Sequence, residues 1–534
     1  MKPRHFACLI FCWLVVFGVL TVPSRFVHTV KADCPKCPPP PPPPPPVGQL
    51  GGPLAGLTST MTGLYNGGYL LFAKKWDPKQ GLGPVSTKTG CFTCHGVGVN
   101  VLTGTAGDTS NVTGTRYGKW NTDGTFNYLD GTGTFPENAG GPVLHGLSNA
   151  TFGTLPSCNR MTIAANGATE SGTTVTLLTT AKHGFAPGQD AQISNVLEKG
   201  YNGVFVITTV PTTTSFTYEA SVAGLAPSGG GTAQNLPHEV VPADATVVSK
   251  MRSPQLFGLG LIDNIPDGAI MANVGVSKPF GIAGIANMVP DENGIIRPGR
   301  FGQKLNIVSL FQFAADAEFN ELGITTSAGP FGVASAFNPN EHLPQGQPFP
   351  SACQSDDNTP QDVGQQNMIK MTQFMALMAP VPPQPPTDQS LAGQQVFNDI
   401  GCSVCHIQSF TTQQSVQLRE TNGGLSRVVG ALSNVTFSPY SDFLLHDMGS
   451  GNSGGIPFQP NNQGQAALTM WRTSPLWGLS NALTKAGGLM HDNGSTSIDA
   501  AIRRHGGEAA TVIQNYEGLN STDSGNLLAF LSSL

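Results

Sequence analysis

Apolar positions are spaced in different ways along this chain, and each spacing predicts a different element. Near the start, Lys2 and Arg4 precede an unbroken run, "FACLIFCWLVVFGVLTV". With Val30 and Ala32 just ahead of a cut at Asp33, residues 1–32 read as a secretory signal; an uncleaved membrane anchor is the alternative, which the run, slightly short for a bilayer span, disfavours. No later segment is long and apolar enough to cross one, so no membrane span is expected in the mature chain. The Met-rich stretch "MIKMTQFMALM" reads as helical. In "HDNGSTSIDAAIRRHGG", Ile498, Ala501, Ile502 and His505 fall at i, i+3, i+4 and i+7, one face of a helix that Thr496 with Asp499 starts and Gly506 stops. His505 therefore points inward with the apolar stripe. Between about Cys158 and Gln234 the pattern changes to "TTVTLLTT", "GVFVITTV" and "TTSFTYEA" with Gly, Asn and Pro between, which predicts short strands.

These elements repeat. "GYLLF" (Gly68–Phe72) precedes "CFTCH", and "GQQVF" (Gly393–Phe397) precedes "CSVCH"; "RSPQLFGLG" follows the first and "RTSPLWGLS" the second. The Met-rich stretch ends the first half as "NLLAFLSSL" ends the second, with "PVPPQPPT" between the halves as a linker. Two related domains in tandem is the economical reading.

Composition sharpens this picture. The 534 residues are too many for one ordinary core. Only 11% are charged, which suits an exported protein with long loops. Removing Lys2, Arg4, Arg25 and Lys31 with the signal takes the net charge from −6 to −10, which gives a nucleic-acid partner no support. Of ten cysteines, Cys8 and Cys12 leave with the signal. Cys34 and Cys37 precede the run Pro38 to Pro46, an extended spacer of roughly 28 Å. Cys158 and Cys353 are single residues that an oxidising compartment would allow to pair.

The remaining four cysteines form two C-x-x-C-H pentads, Cys91–Cys94–His95 and Cys402–Cys405–His406. Zinc would require further ligands at similar spacing, and a thioredoxin-like dithiol a βαβ setting; neither is evident. The adjacent His fits c-type haem, in which two thioethers hold the macrocycle and the imidazole binds iron. Each pentad also follows a G-x-x-x-F segment, which suits the first helix of a cytochrome c domain. The expected architecture is mainly α: two tandem cytochrome c-like domains with long loops and a small all-β domain inserted in the first. Its boundaries are a signal over 1–32, a Cys/Pro-rich stalk over 33–50, the N-terminal domain in two parts over 51–157 and 235–379, the β-insertion over 158–234, a linker over 380–387 and the C-terminal domain over 388–534.

The words around the pentads, "GLGPVSTKTGCFTCH", "MRSPQLFGLGLIDNIPD", "GRFGQK", "IGCSVCHIQSFTT", "PYSDFLLHDMG", "WRTSPLWGLS" and "SIDAAIRRHGGEA", resemble the bacterial di-haem oxidoreductase family over most of residues 60–534 outside the insertion. They resemble di-haem cytochrome c peroxidases more distantly. The resemblance implies two covalently bound haem c groups, with calcium as a further candidate ion. It also implies that His505, fourteen residues after His491, is the second ligand of the C-terminal iron, with His491 beside it. Met448 competes for that role, and His446 is a weaker alternative. For the N-terminal haem, His145, His238, His342, Met271 and Met288 are unranked. The resemblance carries a Gln and a Glu over the peroxide site onto Gln312 and Glu321, one residue closer together than in the relatives; a carboxylate there would move the proton that O–O cleavage requires. Two polar residues on a solvated helix face is the competing reading. Gln303 stands where the family often has Trp, which removes an aromatic electron relay at that position.

The expected protein is therefore an exported, periplasmic or cell-surface di-haem oxidoreductase of peroxidase type. Its C-terminal haem would transfer electrons and its N-terminal haem reduce peroxide, with a redox protein or small molecule as partner. The alternatives are an electron carrier without catalysis and a surface-binding protein built around the β-insertion.

Overall fold

The structure is a computed structural model that describes residues 43–77, 80–83, 85–95, 113–127, 144, 147–148, 160–236, 241, 244–275, 278–324, 364–456 and 468–534. The signal, Cys34, Cys37, the Cys158–Cys353 pairing, His145, His238 and His342 lie outside the described residues. Among the described residues no helix is long and apolar enough to cross a membrane.

The helices that frame the site are α1 (Ser59–Phe72), α2 (Cys91–His95), α3 (Leu310–Leu322), α4 (Gln365–Leu377), α5 (Asp388–Asp399), α6 (Ile498–Arg503) and α7 (Ser521–Ser533). α1 begins where the Thr58 hydroxyl accepts from the Met61 N–H at 3.2 Å, and α5 where Thr387 and Ser390 form a reciprocal capping box. α1 packs on α4, and α5 packs on α7. Each crossing is close because a glycine sits in it. A Cβ on Gly68 would stand 2.6 Å from the Phe374 Cβ, and one on Gly393 would stand 2.8 Å from the Phe530 Cβ, both against backbone carbonyls as well. Phe72 meets Phe374 at 5.1 Å between ring centres, and Phe397 meets Phe530 at 5.3 Å. The "GYLLF" and "GQQVF" repeats thus serve the same geometry: glycine for the approach, phenylalanine for the fill.

The largest core holds Tyr65, Tyr69 and Phe374 together with Phe410, Phe443 and Trp477 from the second half. Full burial of each such ring contributes roughly 1.5–3 kcal/mol. A second core of Phe397, Tyr440, Leu527 and Phe530 lies under α5 and α7.

The β segment is a closed barrel. Its strands are β1 (Arg160–Ser171), β2 (Thr174–Thr179), β3 (Asp190–Ser194), β4 (Gly203–Thr212), β5 (Ser215–Glu219) and β6 (Thr232–Leu236), in the order β6-β1-β2-β5-β4-β3 with β3 pairing back to β6, all antiparallel. Alternation sends Val175 and Leu177 of β2, and Ala191 and Ile193 of β3, into a core of its own with Phe216 and Tyr218. Closure leaves the sheet without an open edge.

The expectation of a mainly α fold is corrected. With 31% of residues helical and 22% in strands, alongside the barrel, the chain is mixed α and β. Strands also lie outside the barrel: Val247–Arg252 pairs with Thr113–Trp120, and Leu445–Asp447 with Met470–Arg472. These pairings join residues far apart in sequence, and two of the four strands span only three residues, so local periodicity did not register them.

Candidate functional site

The C-terminal pentad follows α5. Gly401, at φ 103°, turns the chain where a side chain would enter the Phe280 ring. Cys402–Val404 then make a short 3₁₀ turn, which the Cys405 N–H closes on the Cys402 carbonyl, with the His406 N–H donating to the same oxygen at 3.0 Å. Cys402, Cys405 and His406 thereby line one cavity of about 260 Å³. Phe397 backs the imidazole at 6.3 Å between ring centres.

His505 borders the same cavity, together with Ile498, Ala501 and Ile502. α6 is capped by Ser497, one residue later than the Thr496 start read from sequence, and ends at Arg503, so His505 sits just past its last turn. The His406 and His505 rings stand 6.5 Å apart, centre to centre. Two imidazoles that bind one metal from opposite sides at about 2 Å each need ring centres about 6 Å apart. His406 Nδ1 donates to the Tyr440 carbonyl and His505 Nδ1 to the Ala501 carbonyl, each at 2.8 Å. That tautomer leaves both Nε2 atoms as ligands. Burial, with a small contribution from His505, pushes His406 down to about 4, and burial also holds His505 below its ordinary value, so both are neutral at pH 7. Burial likewise pushes the Cys402 thiol up to about 12.

The competing ligands are otherwise placed. Both His446 nitrogens are engaged, with Asp442 at 3.0 Å and Glu508 at 2.9 Å, and Asp442 also holds Lys278 at 3.1 Å. Burial alone would lower His446, but Asp442, Cys405 and Glu508 hold it protonated, up to about 11. Cys405, Asp442 and His446 lie close enough together to suggest a metal cluster, yet His446 is already held between two carboxylates. Met448 borders the cavity and packs toward Met251 and Trp471. His491 stacks on Trp471 at 3.7 Å, and burial pushes it down to about 4.

The N-terminal pentad, on α2, borders a second cavity of about 170 Å³. Phe72 backs His95 at 6.3 Å. Burial pushes His95 down to about 4; burial and the Glu321 charge push Cys94 up to about 12, and burial and the Glu318 charge push Cys91 up too. Among the described residues His95 Nδ1 has no hydrogen-bond partner, unlike His406. No second imidazole lines this cavity among the described residues. Met251, Met371, Met375 and Arg116 do, with Ala314, Ala317, Glu318 and Glu321 of α3 at i, i+3, i+4 and i+7. Met271 and Met288 are exposed and do not line it. Gln312 does not line it either. Its Oε1 accepts from the Val308 and Ser309 N–H groups and its Nε2 donates to the Pro290 carbonyl, so its amide is committed to starting α3. Sequence reasoning missed Glu318, although it shares a helix face with Glu321 at i, i+3, and missed Met371 and Met375, which lie one turn apart.

The family model described as "Di-haem oxidoreductase, putative peroxidase" matches residues 225–534, more than half the chain. The chain belongs to the di-haem oxidoreductase family. Haem binding comes with that membership, and the paired imidazoles, the cysteine pairs and the apolar walls fit the group. No match is found among curated proteins. Among solved structures, a chain of Kuenenia stuttgartiensis hydrazine synthase pressurized with xenon shares 15% identity over 33% of this chain, with a TM-score of 0.21. This chain covers 57% of that chain's length, and at such a score the likeness carries no argument.

In this di-haem oxidoreductase the two cavities share a wall. Arg252, Ser253, Pro254, Gly302, Gln303 and Phe313 border both. Gln303 stitches the repeated motifs together across it: its Nε2 donates to the Arg252 carbonyl at 2.9 Å, and its own carbonyl accepts from the Arg472 N–H at 3.3 Å. An amide in place of an aromatic ring thus has a structural task here, holding "RSP" beside "RTSP".

Proposed function

We propose that the protein is an exported di-haem c-type oxidoreductase that reduces peroxide at its N-terminal haem and receives electrons through its C-terminal haem. The observation that carries this reading is the asymmetry between the cavities: among the described residues, two imidazoles border one, and a single imidazole with carboxylates borders the other. Cys402 and Cys405 would anchor one haem and Cys91 and Cys94 the other through thioethers, and His406 and His505 would together hold the C-terminal iron. His95 would hold the N-terminal iron, beside the Glu318 and Glu321 carboxylates that border the same cavity.

When bound, haem iron supplies the redox chemistry by which peroxide, two electrons and two protons become two waters, the electrons arriving from a partner redox protein or small molecule. The chain's own task is to hold and move protons. Glu318 is buried in the N-terminal cavity wall, whereas Glu321, one turn on, is partly exposed. Glu321 is thus placed to exchange protons with solvent, and Glu318 to hold one where water is scarce. Phe72, Phe313, Met371 and Met375 keep the rest of the cavity apolar.

The test is the ferric spectrum of the holoprotein together with peroxide consumption under a reducing donor. One low-spin and one high-spin haem with turnover are expected. Two low-spin haems and no turnover would make the protein an electron carrier instead.

A further inference from the structure

The residues around His505 are pinned more firmly than the end of a short helix requires. α6 stops at Arg503, yet the Arg504 carbonyl accepts from Asn452 Nδ2, and Glu508, three residues beyond His505, turns back into the cavity wall. Glu508 Oε1 accepts from the Asp447 N–H at 3.1 Å. Its Oε2 accepts from the Ala283 and Gly284 N–H groups at 3.0 and 3.2 Å and meets His446 Nδ1 at 2.9 Å. Between His505 and Glu508 the chain lies against the backbone of Asp447 and Met448. A side chain at Gly507, φ 54°, would run into the Asp447 carbonyl, and one at Gly506 would stand 3.0 Å from the Met448 carbonyl oxygen.

The other side of this pin comes from the first half of the chain, through the segment Lys278–Ile285. At its start Lys278 Nζ donates to the Val404 carbonyl, inside the pentad, at 3.4 Å and pairs with Asp442 at 3.1 Å. At its end Ala283 and Gly284 hold Glu508, and Ile285 exchanges both backbone hydrogen bonds with Leu445. Between the two ends Phe280 stands at φ 64°, a left-handed conformation that a bulky residue keeps only where its surroundings impose it. His446 joins the ends, since its nitrogens bridge Asp442 at 3.0 Å and Glu508. A carboxylate on each ring nitrogen requires both to carry a proton, so Lys278 and His446 balance Asp442 and Glu508 in charge. Hydrogen bonds between ionised partners are roughly twice as strong as neutral ones.

We propose that His446, Glu508 and the segment Lys278–Ile285 form a strap that positions His505, so that the first half of the chain sets how readily the second imidazole leaves the C-terminal iron. This rests on His505 being a ligand of that iron, and is independent of peroxide turnover. For His505 to swing away, the loop to Glu508 must lift, which breaks the bonds from Ala283, Gly284, Asp447 and His446 together. The word "LLHDMG", whose His446 and Met448 are candidate ligands in the sequence, is on this reading the seat of the ligand loop.

The experiment follows cyanide binding to the ferric full-chain holoprotein, watched through the near-infrared charge-transfer band of a haem with two nitrogen ligands. His505→Gly should abolish this band and so identify it with the C-terminal haem. In the parent the band should decay at a rate that levels off as cyanide is raised, because His505 must leave first. Glu508→Gln should keep the resting band and raise that limiting rate by roughly 10- to 100-fold, the usual contribution of a hydrogen bond to a charged group. Lys278→Gln, at a position that borders neither cavity, should raise it by a smaller factor, and it decides the matter should Glu508→Gln fail to load haem. Gly68→Ala, which loosens a helix crossing far from the strap in sequence, should leave the limiting rate at the parent's. A parental rate in Glu508→Gln would overturn the positioning role, and a parental rate in Lys278→Gln would overturn the strap. Equal acceleration in Gly68→Ala would mean general loosening and overturn both. A band that survived His505→Gly would remove the ligand assignment and the strap with it.

Discussion

Phe72 stands 6.3 Å from His95 at 48° between planes, and Phe397 stands 6.3 Å from His406 at 54°. In each half a glycine four residues earlier lets the same helix lie against a C-terminal helix bearing a phenylalanine. What differs is the rest of the cavity. The second half brings His505 on the turn after α6; the first half brings α3 with Glu318 and Glu321. The repeat has kept the part written in short sequence words, where spacing along one helix sets the geometry. It has diverged where the cavity depends on segments far away in the chain.

The largest expected effect removes the difference outright. His505→Gly takes away the second imidazole and should leave His406 as the one imidazole holding the C-terminal haem, as proposed for His95 in the first half. A new high-spin signal should appear in the ferric spectrum. Met448→Leu should leave that haem unchanged, since Met448 packs toward Trp471 and Met251. If the high-spin species came from Met448→Leu and not from His505→Gly, the ligand assignment would be wrong.

Next comes the proton path. Glu321→Gln should slow peroxide consumption by roughly 10²- to 10⁴-fold, the usual contribution of a general acid-base group, with both haem spectra nearly unchanged. Gln312→Glu keeps turnover if Gln312 only starts α3, but should cost stability because a carboxylate cannot donate to the Pro290 carbonyl. Unaltered turnover in Glu321→Gln would return that residue to an ordinary helix face and leave Glu318 as the buried group to test.

These two residues show what the sequence carried. The pentads and the glycine–phenylalanine words were readable because each acts within one turn or one helix. His505 was readable because apolar positions at helical spacing fixed its face, even though the helix starts one residue later and ends before it. Gln312 was assigned through likeness, while the signal for its actual task stood beside it: Ser309 three residues earlier makes a capping box. The barrel's strands were partly readable from alternation, but its closure depends on β6 pairing with both β1 and β3, which no local pattern encodes. The unrecognised cavity methionines have the same cause. Met371 and Met375 belong to the wall only because α4 lies across α1.

A smaller effect tests whether the shared frame is equally tight in both halves. Gly68→Ala and Gly393→Ala each place a methyl against a carbonyl and a phenylalanine Cβ across a helix crossing. Each should cost about 1–3 kcal/mol in chemical denaturation, by overpacking. Near-equal losses would support one frame used twice; a loss confined to one half would show that the other crossing can part.

The smallest effect concerns how the two equivalent helices begin. Thr58 caps α1 with a single side-chain bond, from the Met61 N–H at 3.2 Å. Thr387 caps α5 from the Ser390 N–H at 3.1 Å, and Ser390 returns the favour by accepting from the Thr387 N–H at 2.8 Å. Removing either hydroxyl should cost about 1 kcal/mol, the usual loss for Thr→Ala at an N-cap. The two losses should not be equal. In Thr387→Ala the backbone N–H at 387 still reaches the Ser390 hydroxyl, so half of the box survives, whereas Thr58→Ala leaves α1 with no side-chain cap. Thr58→Ala should therefore destabilise more, by a few tenths of a kcal/mol, while both haem spectra stay as in the parent because neither threonine borders a cavity. A larger loss at Thr387 would mean that the hydroxyl bond orders Ser390 itself, which is buried, and that the start of α5 depends on the pair as a unit.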